Sequence, residues 1–104
     1  VSSQILEAAA RAGEDFWELP LHRGYRKTLD SNIADLRNSY GTRYGSAILG
    51  ALFLAEFAGD GPWAHLDIAG PATSAETRGE FLKGASGVSV RTLVEVARGM
   101  AEPD

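Results

Sequence analysis

The apolar positions of this chain follow two periods, and the change from one to the other organises the rest. From Trp63 to Gly70 the spacing is two. Trp63, His65 and Asp67 share one side and Ala64, Leu66 and Ile68 the other, which is the alternation of a strand. Gly59-Asp60-Gly61-Pro62 before the run and Gly70-Pro71 after it are turn residues that begin and end such a segment. Its small residues, Ala64, Ala69 and Gly70, leave room for another backbone or a ligand to come close.

Elsewhere the spacing is helical or absent. Ile5, Leu6, Ala9, Ala10 and Ala12 predict a first helix, with Ser2-Ser3 as its cap and Gly13 as its end. Phe16 to Leu21 reads as extended, because Pro20 keeps the preceding residue out of the helical region. His22 to Leu29 reads as a polar, basic amphipathic helix, Asn32 to Leu36 as a short strand or turn, and Asn38 to Gly45 as a loop. Ser46 to Phe57 is apolar nearly all round, as a helix buried against a sheet would be. Pro71 to Glu80 is uneven and polar, a surface loop. Gly84 to Gly87 leads into a last helix from about Val88 to Met100, with Val90, Leu93, Val94 and Ala97 on one stripe.

Composition narrows the class without naming it. With 104 residues, 44% hydrophobic and 23% charged, this is one ordinary globular domain at most. A net charge of -4 with scattered basic residues argues against a nucleic-acid binder. The longest apolar run, Ala47 to Phe57, is interrupted by Gly50 and Glu56 and is far below the ~20 residues of a membrane helix. There are no cysteines, hence no disulfides or thiolate metal sites, as a cytoplasmic protein allows. The chain opens on Val1, directly in a helix-forming run, and so reads as a piece of something longer.

Candidate chemistry is sparse. His65 and Asp67, two apart on a strand, point the same way and could ligate a metal or act as an acid–base pair, but a third ligand is missing; a satisfied structural pair is the plainer reading. Asp35 and Asn38 flank a loop, where Asx residues ordinarily close turns. Lys83-Gly84-Ala85-Ser86-Gly87 offers amides and a positive charge to an anion at a helix start, without the spacing of a phosphate loop. Tyr40, Arg43 and Tyr44 could stack on bases, but with no wider basic surface they mark a packing contact instead. Gly84-Ala85-Ser86-Gly87 also falls short of a nucleophile elbow.

Several segments, in matching order and spacing, resemble the C-terminal end of the leucyl aminopeptidase (cytosol aminopeptidase) family of dinuclear metallopeptidases. They are Glu18 to Leu21, Ser31 to Asn38, Ala51 to Phe57, Trp63 to Gly70, and Lys83 to Gly87 followed by Val90-Arg91-Thr92-Leu93-Val94. The family's Asn-Thr-Asp-Ala-Glu-Gly-Arg-Leu signature, with its metal ligands and bicarbonate arginine, is absent, as are the upstream lysine and aspartate ligands. The resemblance implies a long-chain enzyme that uses two divalent cations, Mn or Zn, and a metal-activated water to release N-terminal residues from peptides. It also implies a cytoplasmic hexamer built as a dimer of trimers.

No residue here matches a metal ligand or catalytic group of that family. Two match its substrate pocket: Ala69 and Ala72, which would line the space for the first side chain of the peptide. Ala72 is smaller than the residue some relatives carry, and Thr73 to Phe81 departs most from the family pattern. The expected fold is therefore α/β: residues 1–104 as the C-terminal part of one catalytic domain, two short strands of a larger mixed sheet with about four helices, inactive alone and prone to associate through its unpaired edges. The alternative is a small non-enzymatic binding or scaffold module.

Overall fold

A computed structural model describes residues 1–39 and 41–101. Its elements, in chain order, are helix α1 (Ser2–Ala12), a 3₁₀ helix (Arg23–Leu29), helix α2 (Ser46–Ala55), strands β1 (Thr73–Ser74) and β2 (Gly84–Ala85), and helix α3 (Val90–Ala101). Four helices and one two-stranded antiparallel sheet are the element types and numbers anticipated. The chain divides into two compact units, Val1–Trp17 with Leu66–Asp104, and Glu18–His65.

In the first unit α1 packs on α3. The contact is made by small or short side chains, Ala8 and Ala9 on α1 and Thr92 on α3, all buried. The first helix stops where the sequence indicates. Gly13 takes a left-handed conformation (φ 73°), its N–H donates to the Ala10 carbonyl at 3.3 Å, and the Glu14 N–H reaches back to the Ala9 carbonyl at 3.0 Å. This is the paired bonding of a Schellman turn, which glycine permits at no steric cost. The other end differs from expectation: Val1 is the flanking residue and no side chain caps it, so Ser2 and Ser3 lie inside the first turn.

The turn at Gly13 aims Glu14 at the start of α3. One carboxylate oxygen accepts from the backbone N–H of Ser89 at 2.9 Å; the other accepts from both the N–H and the hydroxyl of Thr92, each at 2.9 Å. The residue is only 8% exposed. Burial pushes its carboxyl upward, but the Thr92 and Ser89 hydrogen bonds, with the nearby Arg91 charge, outweigh that and hold it below the usual glutamate value. The carboxylate caps a helix to which it is not joined in sequence, satisfying free amides where the helix dipole is positive. It also secures Ser89, whose φ of 77° is unusual for a non-glycine residue.

The stripe Val90, Leu93, Val94 and Ala97 does lie along one side of α3, but it is exposed, with Val90 61% and Leu93 52% accessible. The opposite side, carrying Thr92, Glu95 and Val96, is the one that packs. Arg11 on α1 meets Glu95 at 3.6 Å, an exposed pair of small energetic weight.

The second unit has its own core. Leu29, Leu49 and Leu52 are buried together, with Leu21, Leu36, Ile48 and Phe53 packed around them. His22 to Leu29 is helical as expected but winds as a 3₁₀ helix, its ends marked by i to i+3 bonds from Tyr25 N–H to His22 and from Asp30 N–H to Lys27. Seven residues containing a glycine are too few to make an α-helix favourable. Asn32 to Leu36 resolves as bends rather than a strand. Helix α2 starts at Gly45 (φ 63°), where an added Cβ would lie 3.5 Å from the Tyr25 ring. It buries Leu49, Ala51 and Leu52 but leaves Leu54 and Phe57 exposed.

The alternating run from Trp63, expected as a strand to Gly70, joins no ladder among the described residues and ends in a turn at Ala69 and Gly70. A strand is defined by its partner, and alternation alone supplies none. The strands lie instead in the expected loop, for β1, and in the glycine-rich lead-in to the last helix, for β2. Thr73 pairs with Ala85 and Ser74 with Gly84, and Arg78 and Phe81 exchange bonds of 2.8 and 2.9 Å around a Gly79-Glu80 tip. Gly79 has φ 57°, as a two-residue hairpin tip requires at its first position.

Two outcomes test this account. Glu14→Gln should lower stability at pH 7 by about 1.5–3 kcal/mol, the range for hydrogen bonds to a buried charged group. Because the folded carboxyl titrates below its unfolded value of about 4.3, its contribution is complete above that value and fades as pH falls through the folded one. Urea titrations at pH 7 and in acid should therefore show the gap between parent and Glu14→Gln closing on acidification. Leu52→Ala should cost about 2–5 kcal/mol and the exposed Leu54→Ala under about 1 kcal/mol.

Candidate functional site

Four of the residues singled out in the sequence, Asp67, Ala69, Ala72 and Ser86, meet at one turn. Past the alternating run the backbone folds back over Ala69 to Ala72, with the Ala72 N–H donating to the Ile68 carbonyl at 3.0 Å. Asp67 begins that turn: its Oδ1 accepts from the Ala69 N–H at 3.0 Å, a local bond that aspartate forms readily. Ala69 is exposed and Ala72 half-buried. Two methyl groups on a tightly bonded turn make a small, apolar, rigid surface.

The glycine-rich stretch Gly84 to Gly87, a separate candidate in the sequence, is bonded to the same turn. The register of β1 and β2 places Ser86 opposite Ala72, and the Ser86 N–H donates to the Ala72 carbonyl at 2.9 Å. The Ser86 hydroxyl donates to the Pro71 carbonyl and accepts from the Val88 N–H at 3.2 Å. No sequence motif announces this link, because it joins residues fifteen apart through a hairpin whose strands are two residues each.

The other candidates are accounted for individually. The helix start after Gly87 does receive an anion, but it is the chain's own Glu14, on the amides of Ser89 and Thr92. Lys83 gives its backbone N–H to the Thr77 hydroxyl at 3.3 Å. The His65 ring stacks on Trp63, centroids 6.4 Å apart and planes 23° apart, so the period-two alternation does set these two side by side. Asp67 is engaged with Ala69, as the structural reading of that residue has it. Among the described residues no three of His, Asp or Glu are grouped to hold a metal ion.

Asp35 does not close the turn beside it; the Ser31 hydroxyl does, accepting from Ile33 and Ala34 N–H at 3.2 and 3.1 Å. Asn38, Arg43 and Tyr44 edge an open hollow in the loop before α2, whose other lining residues are Ser39, Gly41 and Thr42. Among the described residues that line it Arg43 is the one charged wall, and they offer neither an acid–base pair nor a ligand set. Tyr40 lies outside the described residues.

Such a unit, helices joined to a hairpin that carries a polar-braced turn of small residues, is a segment of an α/β fold that presents an apolar surface. The model of the cytosol aminopeptidase family catalytic domain matches residues 1–94. The chain belongs to that family. It is 46% identical over 97 residues to a probable cytosol aminopeptidase of Alkaliphilus metalliredigens, covering 93% of this chain and 19% of that one. Against the probable cytosol aminopeptidase of Synechococcus sp. strain WH7803 the identity is 53% over 95 residues, again 19% of the relative.

Among solved structures, the bottromycin maturation enzyme BotP in complex with Mn superposes with a TM-score of 0.90 at 44% identity, over 97% of this chain and 22% of that one. A mutant of tomato leucine aminopeptidase gives 0.82 at 40% identity, over 93% and 18%. The chain thus spans about a fifth of the length of the curated relatives it matches.

The Asp67 bond is open to direct measurement. Asp67→Ala should speed hydrogen exchange of the Ala69 amide roughly two- to twelvefold, the equivalent of one ordinary hydrogen bond. Asp67→Asn, which keeps the acceptor oxygen, should leave exchange near the parent rate.

Proposed function

We propose that this chain is the C-terminal part of the catalytic domain of a metal-dependent leucyl aminopeptidase that removes N-terminal residues from peptides. The observation that carries the reading is the match to the family's catalytic domain over residues 1–94, together with the fold agreement with a leucine aminopeptidase at 40% identity. The working enzyme is cytoplasmic, a homo-oligomer assembled as a hexamer.

Two divalent cations, Mn or Zn, supply the activated water in this reading. The residues present do not fit such a site, since no ligand group occurs among those described; the metals are held by other parts of the longer chain. What this chain contributes is binding. Ala69 and Ala72 stand on the braced turn and line the pocket for the peptide's first side chain, their methyls fixing its depth. Small walls favour bulky apolar side chains, because the space they leave is filled by the substrate instead of by the protein.

The experiment is kinetic. The longer enzyme that carries this chain should hydrolyse leucine p-nitroanilide in the presence of Mn or Zn, and the residues 1–104 alone should not. In that enzyme Ala72→Met places a long flexible side chain in the pocket. A change of one or two methylenes is worth roughly 1–3 kcal/mol of discrimination, so the ratio of kcat/KM for Phe over Ala substrates should fall about tenfold or more. Ala69→Val should act in the same direction. An unchanged ratio in both folded variants removes these residues from the pocket.

A further inference from the structure

The antiparallel ladder of β1 and β2 would continue from the Thr73–Ala85 pair to Ala72–Ser86 and then to Pro71–Gly87. It cannot take the last step. Gly87 turns out of the strand with φ 68°, and Pro71 opposite it falls at a non-hydrogen-bonded position, its carbonyl facing away from the partner strand. The Pro71 carbonyl is left to find a donor outside the ladder, and the Ser86 hydroxyl supplies it. The same hydroxyl accepts from Val88 N–H, while the Ser86 backbone N–H holds the Ala72 carbonyl at 2.9 Å. Ser86 therefore grips two consecutive carbonyls of the turn and ties them to the segment entering α3.

We propose that Ser86 is a positioning residue for substrate selection: by holding Pro71 and Ala72 it sets where the Ala72 methyl stands against the peptide's first side chain. The proposal rests on the reading of Ala69 and Ala72 as pocket walls. Asp67 fixes the Ala69 end of the turn in the same manner, so each alanine has its own polar brace. The half-buried Ser86 side chain is occupied on both sides and makes no contact with the scissile bond in this role.

The test uses the longer enzyme loaded with metal, with Phe and Ala substrates. Ser86→Ala frees the Pro71 carbonyl while keeping the backbone bond. It should lower the Phe-over-Ala ratio of kcat/KM about three- to tenfold, the range set by one hydrogen bond, through a raised KM for Phe substrates with kcat within about twofold. Ser86→Thr, which retains the hydroxyl, should restore the parent ratio, and Ser86→Val, matched to threonine in volume, should not. General destabilisation lowers both substrates together and leaves the ratio in place. A parent-like ratio in Ser86→Ala, where Ala72→Met has moved it, overturns the positioning role and leaves the pocket standing. An unmoved ratio in Ala72→Met overturns both. Loss of folding in every variant without a hydroxyl also counts against it, since Ser86 would then serve the fold rather than selection.

Discussion

Helix α3 owes its position to a carboxylate it does not contain. Glu14 sits one residue past the glycine that ends α1, and its two oxygens take up the first free amides of α3 and the Thr92 hydroxyl. The energetic logic is that of a helix cap worth about 1–2 kcal/mol, but with the cap supplied across 75 to 78 residues of chain. A local serine or aspartate cap would satisfy the helix without fixing its neighbour. Here one side chain does both, so that the end of α1, the left-handed Ser89 and the start of α3 form a single joint. The path from Ser89 back to Ser86, and from there to the turn of Ala69 and Ala72, is three residues long, and the braced turn is anchored to that joint.

Both units leave apolar surface uncovered. Each unit fills a small core with three or so buried side chains, while Val90, Leu93 and Val94 on α3 and Leu54 and Phe57 beside α2 remain open. The chain spans about a fifth of the length of its relatives. Helix α2 reads as apolar nearly all round, and it buries Leu49, Ala51 and Leu52 while leaving Leu54 open. Exposed apolar surface of this kind is the ordinary mark of a contact face.

Locality divides what could be read in advance from what could not. The helices were legible because capping and periodicity are local: Gly13 ends α1 and Gly45 starts α2, each at a positive φ that glycine tolerates. That Trp63 and His65 share a side was legible for the same reason, and so was the family. Strand pairing was not, since a ladder depends on a partner and Thr73-Ser74 with Gly84-Ala85 carries almost no side-chain signal. At the site, the structural reading of Asp67 is the one its bond to the Ala69 amide fits, though the sequence does not say which amide it holds. Ser86 stands in the sequence as part of a failed nucleophile elbow, and Glu14 belongs to no motif at all. Their importance lies in partners 15 and 75 residues away, a separation that spacing within a motif never reports.

The tie between Ser86 and the Pro71–Ala72 carbonyls closes the hairpin at its base. Everything from Thr73 to Ala85 then becomes a loop with fastened ends. The entropy of closing such a loop rises only with the logarithm of its length, so residues can be gained, lost or exchanged at the Gly79-Glu80 tip with little strain passed to the base. Thr73 to Phe81, the stretch expected from the sequence to depart most from the family pattern, lies outside the clasp. The hairpin is free ground for variation, fenced from the turn it grows out of.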